Sequence, residues 1–139
     1  MRLWHYALIP YLPKCQLLAQ WRELNSIFKK QDKHILINYI YEYPKNDLKT
    51  YACMVIEEMK RRGYKIKNMT NFKAYFGAGL LPAPIDGKLF RNHHNDRYLM
   101  QCFYNLQEKY DRGQADLDID TYIRLEHFIA TYFMEVVLK

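Results

Sequence analysis

The sequence predicts an all-α protein: a single compact domain of about four to five helices with one long loop containing glycine and proline. Three observations carry this. Apolar residues recur at spacings of three and four in successive stretches, which is the period of a helix face. Proline and glycine fall mainly between those stretches. The length, 139 residues, suits one hydrophobic core without disulfides or a structural metal.

The first helix is predicted from near Pro13 to about Lys30, on the stripe Leu17, Trp21, Leu24 and Phe28. On a wheel of 100° per residue, Arg22 and Glu23 lie about 130° to either side of that stripe, so neither is expected to face the core. The stretch HILINYIYEY, residues 34 to 43, is β-branched and aromatic enough for a strand. Its context favours a buried helical segment, which is the reading adopted.

Pro44 stops that segment, and Asn46 is a reasonable N-cap for the next helix. Leu48, Tyr51, Ala52, Val55, Ile56 and Met59 form its apolar face, and Gly63 ends it. Residues 64 to 92 hold three of the five glycines and two of the five prolines and are expected to be a long surface loop. A further helix follows on Leu99, Phe103, Leu106 and Tyr110, closed by Gly113. The last carries Ile119, Ile123, Leu125, Phe128, Ile129, Tyr132, Phe133 and Val136, and its acidic start DLDID suits the positive end of a helix dipole.

Composition narrows the partners. Half the residues are hydrophobic and 26% are charged, which argues against disorder. The net charge of +6 is unevenly spread: residues 1 to 70 carry +7 and the remainder −1. A one-sided basic surface favours a polyanion such as nucleic acid. Lys60, Arg61, Arg62, Lys65 and Lys67 cluster around Gly63, more cations than the capping of one helix end requires. The surplus makes contact with a phosphate backbone plausible.

Cys15, Cys53 and Cys102 are odd in number and contain no CxxC pair, so reduced thiols in a cytoplasmic protein are expected. No apolar run is long enough to span a bilayer, and no membrane partner is expected. Phosphate-binding glycine loops, GxSxG and HExxH are absent, and the five histidines lack the spacing of metal ligands. No metal and no cofactor are therefore expected.

QLLAQWREL, followed downstream by KRRGYKIKNMT, resembles the endonuclease V family of phage-type pyrimidine-dimer DNA glycosylases. The likeness is clearest over residues 15 to 24 and 57 to 70, weaker over 93 to 113, and the final helix has no obvious counterpart. The opening MRLWHYALIPYLP is similar to that of small bacterial relatives. The resemblance implies a compact helical enzyme that cuts the glycosidic bond of a damaged nucleotide and then nicks the backbone as an AP lyase, without a metal. Its nucleophile is the backbone α-amine of the first residue, here Met1, or Arg2 if the methionine is removed. The glutamate of the Arg-Glu pair that assists it is Glu23. Double-stranded DNA with damaged or abasic nucleotides is the implied partner, held by Arg22, Lys60, Arg61, Arg62, Lys65 and Lys67.

The chemistry is consistent with such a role, because an α-amine titrates at about 7.7–8.0, well below a lysine, and is partly unprotonated at neutral pH. The sequence departs from the family at Leu3 and Ser26, where basic residues are expected, at Gln16, where a histidine is, and in lacking a basic aromatic tail. The lesion is thus left open between pyrimidine dimers, another lesion and abasic sites alone. A non-catalytic helical DNA-binding or adaptor protein that retains the scaffold is the alternative.

Overall fold

A computed structural model describes residues 1–78 and 86–138, with residues 136–138 given by backbone alone. The order of elements is a 3-10 helix at Tyr6–Tyr11, α1 at Lys14–Lys30, a second 3-10 helix at Asn38–Glu42, α2 at Lys45–Arg61, α3 at Thr70–Phe76, α4 at Asp96–Asp111 and α5 at Ile119–Leu138. Among the described residues there is no strand, and no helix is long and apolar enough to cross a membrane. The all-α expectation holds.

The core is assembled from every part of the chain. Leu17, Leu24 and Ile27 of α1 meet Tyr51 and Val55 of α2, while Leu99, Cys102 and Leu106 of α4 and Leu125 of α5 close the other side, all fully buried. Into this packing runs the first segment, with Leu3, Trp4, His5, Leu8 and Ile9 buried. The segment from Leu3 onward is therefore part of the core's wall, while Met1 is exposed.

Helix ends follow local chemistry. Gly63 closes α2 at φ +82°, and the Tyr64 N–H turns back to the Met59 carbonyl at 2.8 Å. α1 begins after Pro13, which has no side chain able to cap; the Asp116 carboxylate, from the connection between α4 and α5, accepts the Cys15 N–H at 2.6 Å instead. Asn95 caps α4 by accepting the Tyr98 N–H at 3.0 Å.

Four expectations are corrected. Residues 64–92 are not one loop, because α3 lies within them: Phe72, Tyr75 and Phe76 share a helical face, and their ring centroids lie 5.8, 5.5 and 5.1 Å from that of Phe28. The glycines and prolines that suggested irregularity lie mostly beyond it, and Gly79, Pro82 and Pro84 fall outside the described residues. Residues 34–43 form a hydrogen-bonded turn and a short 3-10 helix in place of a buried α-helical segment. Only Ile37 and Ile40 of its apolar residues are buried, while Ile35 and Leu36 face solvent. The N-cap of α2 is Pro44, not Asn46. On α5, Leu125, Ile129 and Tyr122 are buried but Ile119 and Ile123 are exposed, and the Val136 side chain lies outside the described residues.

Candidate active site at the amino terminus

Gln20 organises the amino-terminal segment. It is 1% exposed, and its side-chain oxygen accepts the Trp4 N–H at 2.9 Å while its amide nitrogen donates to the Arg2 carbonyl at 3.1 Å. The same nitrogen donates to a carboxylate oxygen of Glu23, one turn along α1, at 3.1 Å. One side chain thus joins the backbone of the first residues to the carboxylate expected to serve them.

Further ties fix the segment's path. The Tyr51 hydroxyl lies 2.6 Å from the Trp4 carbonyl and 2.9 Å from the Gln20 side-chain oxygen. Tyr98 donates to the Leu3 carbonyl at 2.6 Å. His5 accepts the Ala7 N–H on Nδ1 at 3.1 Å, which leaves Nε2 to donate to the His94 carbonyl at 3.0 Å. Burial lowers the His5 pKa to about 4, against the opposing effects of the His94 carbonyl and the Asp96 charge. A neutral imidazole is what this arrangement needs.

Met1, Arg2 and Glu23 line one pocket of about 310 Å³, together with Trp4, Gln16, Leu36, Asn105 and Lys109. Arg22 is exposed, and Glu23 is half-buried against this pocket and not in the core. Desolvation raises the Glu23 pKa above the usual carboxylate value, and the amino terminus, the Arg2 N–H, Arg22 and His34 pull it back. A carboxyl held between these influences can both take and give a proton.

The expected DNA-binding residues divide into two groups. Arg22, Lys65 and Lys67 line a groove of about 580 Å³ with Trp21, Asn68 and Asn71, and all three cations are exposed. Lys60 is exposed on the last turn of α2. Arg61 and Arg62 instead converge on Glu58, at 2.6 and 2.7 Å, and Arg62 also donates to the carbonyls of Leu12 at 2.8 Å and Pro10 at 3.1 Å. Glu58 is 6% exposed, so these arginines neutralise a buried charge. That need was invisible in the sequence, where the cluster read simply as surplus charge.

Sequence reasoning also missed Gln20, Tyr51 and Tyr98. Gln20 left one local signal, its position three residues before Glu23; the tyrosines act across long sequence separations and left none. The three cysteines are free, and among the described residues no three His, Cys, Asp or Glu side chains converge on a metal-sized position.

No curated protein and no solved structure matches the chain. Residues 1–72 match the family described as pyrimidine dimer DNA glycosylase. The matched segment covers more than half of the chain and includes the amino-terminal segment, all of α1 and α2, and the cations of the 60–67 cluster. By that match the chain belongs to the pyrimidine dimer DNA glycosylase family.

Proposed function

We propose that the protein is a DNA-repair enzyme of base excision, a glycosylase and AP lyase that acts on double-stranded DNA through its amino-terminal α-amine. The observation that carries this reading is the shared pocket of Met1, Arg2 and Glu23, with Gln20 bonded to both the Arg2 carbonyl and the Glu23 carboxylate. A flexible, unattached terminus would lose the orientation on which such a nucleophile depends.

In the first step the amine's lone pair forms a bond to C1′ of the damaged nucleotide while the glycosidic bond breaks and the base leaves with the bonding electrons. The new ammonium gives up a proton to O4′, the C1′–O4′ bond breaks to leave a 4′-hydroxyl, and the resulting iminium acidifies the C2′ proton. Glu23 takes that proton, and the electrons released expel the 3′ phosphate by β-elimination. The Glu23 charge also stabilises positive charge at the sugar before the proton moves. Arg22, Lys65 and Lys67 are the cations best exposed to hold phosphates, with Lys60 beside them. The free thiols support a reducing, cytoplasmic setting.

The test is borohydride trapping on DNA carrying an abasic site, in the presence of EDTA, with the mass of the intact protein measured on the same sample. A covalent adduct on Met1 or Arg2 is expected. Glu23→Gln should stop strand cleavage while binding persists. Salt-sensitive binding with no trapped species on any lesion would overturn the enzymatic reading and leave a DNA-binding scaffold.

A further inference from the structure

The starts of α1 and α5 and the end of α2 enclose a pocket of about 280 Å³ that the proposed reaction does not use. Four cations line it, Lys14, Arg61, Arg62 and Arg124, with the Tyr64 ring as one wall. They come from three helices, and Arg124 lies outside the residues that match the family.

Two acids also reach this pocket, and both are occupied. Glu58 receives Arg61 and Arg62 at 2.6 and 2.7 Å. Asp116 accepts the Cys15 N–H at 2.6 Å on one oxygen and the Gln114 side-chain amide at 2.8 Å on the other. Arg62 is directed inward, to Glu58 and to the carbonyls of Leu12 and Pro10, so it shapes the floor. The other three cations keep donors to spare. Lys14 has no acidic partner among the described residues, and its ammonium rests 5.3 Å from the centre of the Tyr64 ring. Arg61 is 64% exposed; it turns Nε and one terminal nitrogen to Glu58 and leaves the other terminal nitrogen unpaired among the described residues. Arg124 is exposed and feels the charge of Asp118 without forming an ion pair among the described residues.

Cations gathered around a hollow without acids to share create a positive potential, to which the amino-terminal end of α1 adds the positive pole of its dipole. The complement is a compact anion. A carboxylate presents two oxygens in one plane, whereas a phosphate group presents oxygens in several directions and so matches donors arriving from three helices. We propose that this pocket is a binding site for a phosphate group, with Lys14, Arg124 and the free end of Arg61 as its donors.

DNA is the nearest source of that group. Leu18 and Arg22 follow Lys14 at intervals of one turn along α1 and line the groove of Lys65 and Lys67, while Tyr64 of the pocket directly precedes Lys65. Eight residues of helix set Lys14 about 12 Å from Arg22 along the axis, roughly three to four base-pair rises of a duplex. A strand whose phosphates occupy the groove therefore reaches the pocket a few nucleotides further on. Inorganic phosphate or a phosphomonoester offers the same chemistry without a strand. The DNA source rests on the function proposed above; the affinity of the pocket for phosphate does not.

The test compares the wild type with three double variants. Lys14→Gln with Arg124→Gln removes the charges, Lys14→Arg with Arg124→Lys keeps them, and Lys88→Gln with Arg97→Gln removes the same charge from exposed positions elsewhere. Urea unfolding first verifies that each is folded. In calorimetry at constant ionic strength, the neutralised pocket should bind inorganic phosphate roughly tenfold or more weakly, the loss of at least one charge-assisted hydrogen bond. The other two variants should bind it as the wild type does. On an intact duplex the neutralised pocket should lower the salt slope by about 0.9, one phosphate, and the charge-keeping variant should leave it unchanged. Borohydride trapping on saturating abasic DNA should be equal throughout, since neither Lys14 nor Arg124 lines the pocket of Met1 and Glu23.

Weaker phosphate binding together with a lower slope would support the site and make DNA its source. Weaker phosphate binding with an unchanged slope would support the site and make a free phosphate or phosphomonoester its ligand. Absent phosphate binding, or equal affinity in the neutralised and wild-type proteins, combined with an unchanged slope would overturn it. Failure of the wild type to trap would overturn the catalytic reading alone, because the phosphate titration needs no chemistry.

Discussion

Replacing Gln20 by leucine keeps the volume and removes the hydrogen bonds by which its side chain joins Trp4 and Arg2 to Glu23. The Trp4 N–H, held at 2.9 Å in a site that is 6% exposed, loses its acceptor and is left buried. Leaving such a donor unpaired costs about 1–3 kcal/mol. Tyr51 keeps the Trp4 carbonyl as its acceptor, and water can reach the half-exposed Arg2 carbonyl and Glu23, so those losses add only about 0.5–1.5 kcal/mol in all. The expected destabilisation is therefore about 1.5–4.5 kcal/mol, read from urea unfolding at constant m-value. The rate of borohydride trapping should fall further than stability requires, on the order of 10²-fold for a nucleophile displaced by an ångström. A loss below about 0.5 kcal/mol, within the range of ordinary surface substitutions, with unchanged trapping would refute the idea that Gln20 sets the position of the amine.

Acid should unfold the protein in a defined window. Because the His5 pKa falls from 6.5 to about 4 on folding, the unfolded chain binds the extra proton between those values, and stability is complete above about pH 6.5 and declines towards pH 4. Burial, with the neighbouring His5 and His93, also lowers His94, whose Nδ1 has no hydrogen-bond partner among the described residues. The slope should approach ~1.4 kcal/mol per pH unit for His5 alone and be flattened by His5→Asn, as measured by denaturant midpoints across that range. The two sets of cations should also separate in salt titrations of DNA binding. Removing Arg22, Lys65 and Lys67 should reduce the salt slope by roughly 0.9 for each phosphate that is no longer neutralised. Arg62→Ala should leave the slope alone and instead cost about 1–3 kcal/mol of stability, since the Leu12 and Pro10 carbonyls lose their donor and Glu58 keeps only Arg61.

Much of this molecule was legible along the chain because α1, α2 and α4 carry apolar residues at helical spacing, and α2 and α4 end where glycine allows the backbone to turn. Local patterns failed where two signals competed. In residues 64–92 the aromatic spacing of Phe72, Tyr75 and Phe76 was outweighed by glycines and prolines that lie further on. In HILINYIYEY the apolar content implied burial, yet Ile35 and Leu36 point outward, which no scale of hydrophobicity distinguishes from core. At the site, Arg22 and Glu23 stood out because the core did not need them. The roles of Tyr51, Tyr98 and Arg62 depend on carbonyls 47, 95 and 50 residues away in the chain, and such pairings exist only once the fold does.

The ties on the amino-terminal segment have an implication for synthesis. The donor to the Leu3 carbonyl is Tyr98, the acceptor for His5 is the His94 carbonyl, and the cap of α1 is Asp116. Residues 3 to 15 are thus fastened by residues 94 to 116, which are made later. A chain arrested midway carries the whole of the matched segment and both candidate catalytic groups, but lacks the clasps that hold them in register. On the proposed function, the geometry that orients the α-amine towards Glu23 is therefore complete only once residues 94 to 116 have been made.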